Sequence, residues 1–271
     1  MADYYKEASY GKLAITGRVT GWYSASRGHD YYGDNTGGVE GADSHPAELV
    51  REAAQAADEA GFDFADYVSN KDCLVDVVMV VHQGAGEEDG ATPTPSDIWS
   101  HHSTLVDRGV GEYLTQSACV SDPSKKVRVN RYVMVPEVLR EGSLITIGTP
   151  AHEYGHALGL PDLYDTTDHS SGIGNWSLMA TGCNNSVGID GDRPAHLDAW
   201  SKYFLGWVSP KRVLKTSCKS IDLVESYPEV YQLGSGSPLS GEYFLVENRQ
   251  LTGFDEALPG SGLLIWHFGG N

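Results

Sequence analysis

The stretch HEYGHALGLPD, residues 152–162, decides how this sequence is interpreted. On a helix, His152 and His156 stand four residues apart, so both imidazoles lie on one face, about one turn apart, within reach of one ion. Glu153 lies beside the first histidine, where its carboxylate can reach a water on the metal without binding the metal itself. The pattern predicts a catalytic zinc site, because imidazole suits zinc and three protein ligands would leave a fourth position for water.

The third ligand is predicted to be Asp162. Gly159 can take the left-handed conformation that ends a helix and turns the chain, so the residue three further on meets the metal. A rival arrangement takes its third ligand from a later segment, where the acids are Asp190, Asp192 and Asp198. Asp162 is preferred because its spacing needs only the glycine turn. The alternative for the whole motif is a surface helix whose histidines bind nothing.

Three helices are predicted. The motif helix begins at Thr149, which offers a cap oxygen before Pro150, or a few residues earlier near Thr146. A run rich in Ala and Glu predicts a helix from Pro46 to Gly61, and another helix is predicted from Pro194 to about Leu205.

Strands are predicted on both sides of the motif. Alternating or continuous apolar residues indicate strands at Leu13–Trp22, Val75–His82 and Val127–Val135. After residue 210, EYFLVENRQ and GLLIWHF, separated by Gly, Pro and Ser, indicate a β-rich segment. The sequence therefore predicts an α/β (α+β) protein with a mixed, twisted sheet before the motif helix and more strands after it.

Composition limits the partners. The 271 residues carry a formal net charge of -18, which repels nucleic acids and anionic membranes, and no apolar run is long enough to span a bilayer. The excess of carboxylates is attributed to solubility, with calcium binding as the alternative. The loop acids Asp165 and Asp168, with His169, are likewise expected to be solvated, and otherwise to be calcium ligands or to support the metal ligands.

The cysteines exclude a cysteine zinc cluster, because none forms a CxxC pair. The four cysteines are Cys73, Cys119, Cys183 and Cys218. The sequence leaves open whether they form two disulfides, in any of three pairings, or remain four free thiols. The first residues contain no signal peptide, which is compatible with a cytosolic protein or with one whose leader has been removed.

Several motifs, in this order and spacing, resemble the immune inhibitor A family of secreted bacterial proteases. After residues 152–162, GNWSLMATG places Met179 where the metzincin clan of metallopeptidases has its Met-turn. The resemblance runs from about Tyr4 to His267. Its other motifs are DYYKEASYGKLAITGRV from residue 3, VVMVVHQGAGEE from residue 77 and HLDAWSKYFLGWVSP from residue 196.

The resemblance implies a metzincin-like catalytic domain over residues 1–209 and a β-rich extension, expected to be truncated, over residues 210–271. Zinc would be bound by His152, His156 and Asp162, with Glu153 as the base and Met179 as a hydrophobic floor that does not touch the ion. The family also implies secretion as a zymogen with a propeptide.

The function expected is that of a secreted, extracellular zinc endopeptidase acting on proteins or peptides. A tyrosine or a histidine often assists such a reaction; Tyr164 and Tyr203 are candidates, and the role is left unassigned. Two alternatives remain: a non-catalytic binding module that keeps zinc for structure, and a zinc exopeptidase. The intact Glu153 argues against the first, because a structural zinc needs no base. The oligomeric state is not indicated.

Overall fold

The computed structural model describes residues 1–89, 94, 96–139, 142–165, 167, 169–213 and 228–269. Helices and strands occur in similar amounts, which confirms the α+β class. The chain divides into two compact units, residues 17–145 and a second unit made of Met1–Thr16 with Thr146–Asn271. This division by contacts does not fall at residue 209, so the boundary drawn there from the sequence stays a prediction.

The helices and strands are numbered here in chain order. The α-helices are α1 Ala2–Ala8, α2 His29–Gly33, α3 Pro46–Glu59, α4 Gly148–Ala157 and α5 Ala199–Phe204. Short 3-10 helices lie at Thr36–Gly38, Phe64–Tyr67, Gly174–Trp176, Thr181–Asn184 and Gly253–Ala257. The strands are β1 Val78–His82, β2 His101–Thr104, β3 Tyr113–Ala118, β4 Lys126–Val129, β5 Arg131–Pro136, β6 Lys211–Arg212, β7 Tyr231–Ser237, β8 Ser240–Arg249 and β9 Gly262–Gly269.

The unit of residues 17–145 is built on a mixed sheet of order β1-β5-β2, in which β1 runs parallel and β2 antiparallel to β5. Strands β3 and β4 pair separately as an antiparallel ribbon. Helix α3 buries Val50, Ala54 and Ala57, spaced at helical intervals, in the same core as Tyr132 and Met134 of β5. The mixed sheet predicted before the motif is thus present.

The second unit places the motif helix α4 beside the N-terminal helix α1. The hydroxyl of Tyr5 donates to the carbonyl of Ala151 on α4, and that of Tyr4 donates to the carbonyl of Ala195, each at 2.7 Å. Both tyrosines are fully buried. The first residues of the chain therefore form part of the core behind α4.

The predicted β-rich segment forms a four-stranded sheet of order β6-β7-β8-β9 in the same unit. EYFLVENRQ lies largely in β8 and GLLIWHF in β9, and the two strands pair antiparallel. On β8, the fully buried Arg249 forms an ion pair with Asp255 and donates to the carbonyls of Trp176 and His196 at 3.4 Å. The sheet thus contacts the segments on either side of Met179.

Two strand predictions were wrong. Leu13–Trp22 forms no strand, because no neighbouring strand pairs with it, and Val19 is 95% exposed. The stretch Val127–Val135 is two strands: β4 pairs with β3, and β5 with β1 and β2. The two strands are separated at Asn130, whose carbonyl and side chain accept hydrogen bonds from the backbone N–H groups of Leu105 and Val106.

The predicted helix ends were also shifted. Helix α4 begins at Gly148, and no side-chain cap from Thr149 is present. The helix predicted from Pro194 begins only at Ala199, because Asp198 accepts the N–H of Ser201 and so caps it there.

One disulfide joins Cys73 to Cys119, which resolves part of the pairing that the sequence left open. Cys183 is a free thiol among the described residues, and Cys218 lies outside them. In the described part of the chain, no helix is both long and apolar enough to cross a bilayer.

Candidate metal centre

His152, His156 and Asp162 come together at the end of α4. The Oδ1 atom of Asp162 lies 3.0 Å from Nε2 of His152 and 3.2 Å from Nε2 of His156. Among the described residues, no other group of three histidine, cysteine or acidic side chains places its ligand atoms within 4.8 Å of one another. Two imidazoles and one carboxylate at this spacing match the donor set of a catalytic zinc site.

Each imidazole is oriented through its other ring nitrogen. The Nδ1 atom of His152 lies 2.8 Å from the carbonyl oxygen of Leu178, and Nδ1 of His156 lies 2.8 Å from that of Leu160. Because a carbonyl only accepts, each Nδ1 must carry the proton, which leaves the lone pair on Nε2. Both histidines are therefore held in the tautomer that binds a metal through Nε2.

Gly159 makes the turn that brings Asp162 to the histidines. It has a φ of +95°, a left-handed conformation in which L side chains are strained. Its N–H donates to the carbonyl of His156, and the N–H of Leu160 donates to that of Gly155. These two bonds are those of a Schellman motif, with the buried Leu160 anchoring the chain after the helix.

The segment around Met179 supports both the helix and the Asp162 loop. Met179 is fully buried, and its sulfur packs so closely on Gly155 that a Cβ there would overlap it. The carbonyl of Met179 accepts the N–H of Leu163 at 2.7 Å, while the preceding carbonyl, that of Leu178, holds His152. The turn thus holds His152 through the carbonyl of Leu178 and the Asp162 loop through the carbonyl of Met179, and the role of Met179 as a hydrophobic floor stays a prediction.

Asp198, a rival for third ligand, instead anchors this turn. Its carboxylate accepts the hydroxyl of Ser177 at 2.8 Å and that of Ser201 at 2.7 Å, and it is buried. Asp192 accepts backbone N–H groups of the loop from Val187 to Ile189. Of the acids considered for the metal, the structure brings only Asp162 to the histidines.

Two of these supporting features were missed by the sequence analysis. They are the carbonyl of Leu178 and the pair of Ser177 with Asp198. A backbone carbonyl has no sequence signal, and a serine two residues before a methionine resembles any loop serine. A hint of their role was available in the sequence, where SLM, residues 177–179, follows the motif closely.

Glu153 lies on α4 and is only 7% exposed. Its charge acts on both His152 and His156, in each case favouring the protonated imidazole. Its carboxylate therefore lies near both histidines, and its role as a general base stays a prediction.

The three converging groups shift one another's protonation. Burial lowers the pKa of His152, but the hydrogen bond to Asp162 and other contacts outweigh it, so that this pKa is raised well above its ordinary value. The pKa of His156 is raised in the same way. Burial raises the pKa of Asp162, yet its bonds to the two imidazoles hold it far below the usual range. Protons and a metal ion therefore compete for the same atoms.

Tyr164 is the tyrosine that reaches this group. Its ring stacks near that of His152, with centroids 6.3 Å apart, and its hydroxyl interacts with the carboxylate of Asp162. The residue is 40% exposed. Tyr203, the other candidate, packs in the cluster beneath the four-stranded sheet.

The loop after Asp162 is exposed. Asp165 accepts the N–H and hydroxyl of Thr167, and His169 bonds to the same hydroxyl at 2.9 Å. Asp168 lies outside the described residues. The contacts of Asp165 and His169 are those of a polar surface loop.

The α+β fold and the two-histidine, one-carboxylate group define a protein of the metallopeptidase type. The sequence model described as immune inhibitor A peptidase M6, catalytic domain, matches residues 1–208, and the chain belongs to this family. The chain is 32% identical over 250 residues to the pre-pro-metalloprotease PrtV of Vibrio cholerae serotype O1, covering 86% of this chain and 26% of that protein. It is 34% identical over 198 residues to immune inhibitor A of Bacillus thuringiensis subsp. alesti, and this match covers 66% of this chain and 28% of that protein.

The family match and the names of the relatives support the assignment of this chain to the metalloproteases, which are hydrolases. The chain spans roughly a quarter of the length of these relatives, by the 26% and 28% matched. The activity of the whole protein is therefore argued below from the residues of this chain.

Proposed function

We propose that this chain is the catalytic part of a secreted zinc endopeptidase, in which His152, His156 and Asp162 bind the zinc ion and Glu153 is the general base. The observation that carries the proposal is the convergence of two Nε2 atoms and one carboxylate oxygen, with both Nδ1 atoms bound to carbonyls. Three ligands leave a position open, which distinguishes a catalytic from a structural zinc.

Zinc, when bound, would polarise a water molecule and the scissile carbonyl and neutralise charge that develops on the carbonyl oxygen. Glu153 would take a proton from the water as its oxygen attacks the carbonyl carbon. The same carboxyl would then give that proton to the amide nitrogen, which leaves as an amine when the C–N bond breaks. Tyr164, which lies beside Asp162 and is partly exposed, would donate a hydrogen bond to the carbonyl oxygen.

We further propose that residues 1–209 are the metzincin-like catalytic domain and residues 210–271 a β-rich extension. The family match over residues 1–208 supports the first part. Arg249 of the extension bonds to the carbonyls of Trp176 and His196, on either side of Met179. The extension would thus support the metal centre even though the family match does not include it.

Secretion and synthesis as a zymogen are also proposals. One relative is named a pre-pro-metalloprotease, which is said of that protein. In this chain, the Cys73–Cys119 disulfide is typical of proteins that fold in an oxidising compartment.

The test compares the wild type with Glu153→Ala for zinc content and for cleavage of a denatured protein. The wild type should hold about one zinc and cleave internal bonds, and the variant should keep zinc and lose cleavage. End-blocked and unblocked peptides distinguish the exopeptidase, since an endopeptidase cleaves both. Zinc binding without cleavage by the wild type would favour the binding module, and the absence of zinc would refute the proposal.

A further inference from the structure

Cys183, a free thiol among the described residues, lies beside the proposed metal ligands. It belongs to the 3-10 helix Thr181–Asn184, which follows Met179 closely in the chain. Its thiol interacts with the imidazole of His152 and lies close enough to Tyr164 for their charges to act on each other. The proposed peptidase reaction gives this thiol no role.

The backbone of Cys183 is fixed against the helix that carries the histidines. Its carbonyl oxygen packs on Gly148, the first residue of α4, where an added Cβ would lie 2.0 Å from that oxygen. Its N–H donates to the carbonyl of Ala180 at 3.3 Å. Gly148 and His152 stand four residues apart on one face of α4. The contact at Gly148 therefore explains why the side chain of Cys183 lies beside His152.

The side chain of Cys183 is held less firmly than its backbone. It is partly exposed and packs against the apolar cluster that contains Ala151 and Met179. Its Sγ atom donates to Oδ1 of the exposed Asn184 at 3.3 Å, and a thiol is a weak donor. The sulfur is not among the three ligand atoms that converge within 4.8 Å of one another. A rotation about the Cα–Cβ bond is therefore needed to bring it to them, and the bond given up is weak.

We propose that Cys183 is a displaceable fourth ligand of the zinc ion, so that its thiol closes the metal centre until substrate enters. The inference rests on the proposed zinc site of His152, His156 and Asp162, whose three ligands leave one position open. Zinc binds cysteine sulfur readily, as the thiolate rather than the thiol. The S–H proton therefore passes to solvent when the sulfur binds, and returns to it when water or substrate displaces it.

A bound thiolate would keep the peptidase inactive at rest. Four protein ligands are the arrangement of a closed zinc site, which has no position for the water on which Glu153 acts. Substrate would have to displace Cys183, so each encounter with the resting form would begin with an exchange of ligands.

The competing explanation is that Cys183 only fills space. A cysteine behaves as a small apolar side chain, and the cluster around Met179 offers it such a role. A packing residue would not bind the metal, whereas a ligand would change the absorption spectrum of the metal. Cobalt distinguishes the two, because Co²⁺ bound in a zinc site absorbs visible light and gives a further near-ultraviolet band when a thiolate binds to it.

The experiment replaces zinc with Co²⁺ in the full chain and records the absorption spectrum. The wild type should show the visible bands and the thiolate band, and Cys183→Ser should keep the visible bands and lose the thiolate band. Acetohydroxamate, a small chelating ligand, should remove the thiolate band from the wild type by displacing the sulfur. Cys218→Ser is the matched control, since it removes the other cysteine outside the Cys73–Cys119 disulfide, and it should keep the thiolate band.

The proposal is overturned if the cobalt-loaded wild type shows the visible bands without the thiolate band, or if Cys183→Ser keeps the thiolate band. It is also overturned if Cys218→Ser loses that band, or if acetohydroxamate shifts the visible bands without removing it. These outcomes leave the proposed zinc site intact. A wild type that binds neither cobalt nor zinc would refute that site and the role of Cys183 with it.

A second measurement on the wild type decides if Cys183→Ser does not fold. Bound zinc should slow the alkylation of Cys183 by iodoacetamide several-fold, followed by mass spectrometry of the peptide that contains it, because a ligated thiolate is withdrawn from the reagent. Equal rates of alkylation with and without zinc would overturn the proposal.

Discussion

The Nδ1 atom of His152 lies 2.8 Å from the carbonyl oxygen of Leu178, so a backbone group one residue before Met179 fixes the tautomer of a proposed metal ligand. That backbone is held in turn by the hydroxyl of Ser177, which donates to Asp198 and lies 3.3 Å from the N–H of Met179. The orientation of His152 therefore depends on a buried polar pair that does not touch the metal group.

Ser177→Ala should lower zinc affinity by about tenfold, in the range found when a partner of a metal ligand is lost. The hydroxyl is needed to hold the turn, so His152 would lose its fixed orientation while all three ligands remain. Competition with a chromophoric chelator measures the affinity. Ser240→Ala, in the exposed β8 turn, is the control and should have no effect. Equal affinities in all three proteins would show that the turn does not orient the ligand.

Asp162→Ala should lose more than about 100-fold in zinc affinity, because it removes a ligand rather than a supporting partner. Asp165→Ala, three residues on and exposed, should bind zinc like the wild type. Both are measured by equilibrium dialysis with zinc analysis. Normal zinc binding by Asp162→Ala would mean that another acid completes the site.

Gly155→Ala should destabilise the protein and weaken zinc binding, although alanine favours a helix. The added Cβ would overlap the sulfur of Met179, which is fully buried. Overpacking of this kind costs about 1–3 kcal/mol. The measurement is urea unfolding, with Gly21→Ala as control, since a Cβ at Gly21 meets nothing within 4 Å. An unchanged unfolding midpoint for Gly155→Ala would show that Met179 can shift.

The ion pair of Arg249 with Asp255 predicts a pH dependence. Burial alone would raise the pKa of Asp255, but the charge of Arg249 outweighs it and lowers this pKa to about 2. The folded-state pKa lies below the unfolded value of about 3.9, so the pair stabilises the fold above that value. This contribution, on the order of 2 kcal/mol, is lost as the pH falls from about 4 through 2.

Asp255→Asn should therefore cost about 3–5 kcal/mol at neutral pH, because it leaves a buried guanidinium undercompensated. The cost should shrink as the pH approaches 2, where the wild-type carboxylate becomes protonated. Glu256→Gln removes the neighbouring acid from an exposed pair with Arg193 and should change stability by less than about 1 kcal/mol. Urea unfolding at a series of pH values tests both. A cost for Asp255→Asn that does not change with pH would contradict the ionic explanation.

Reduction of the Cys73–Cys119 disulfide should lower stability by about 2–4 kcal/mol, since the bond closes a loop with a sequence separation of 46. The double variant Cys73→Ser with Cys119→Ser should unfold at lower urea and become insensitive to reductant. Cys183→Ser should keep the wild-type response to reductant. If reductant does not change the unfolding of the wild type, the predicted contribution is absent.

Helix α4 and strands β8 and β9 were predictable because each has a local signature: a helical motif closed by glycine, or a long apolar run between turns. Leu13–Trp22 and Val127–Val135 were not, because alternation shows which residues suit a strand but not whether a partner strand exists. Asn130 breaks the second stretch through bonds to residues 105 and 106, which are distant in sequence.

The same distinction applies to the site. The spacing of His152, His156 and Asp162 could be read from the sequence, since one helix and one turn place them. The rival role of Asp198 could be settled only in three dimensions, where it bonds to Ser177 and caps α5.

The packing of helix α1 affects the order in which parts of the chain can fold during synthesis. Residues 17–145 are one continuous stretch of chain and form a compact unit, and such units generally fold as units during synthesis. Tyr4 and Tyr5 must wait for Ala195 and Ala151, their hydrogen-bond partners, which are synthesised long afterwards. Helix α1 can therefore dock only after residues 17–145 have been synthesised, and the helix that carries the histidines belongs to the unit that is completed late.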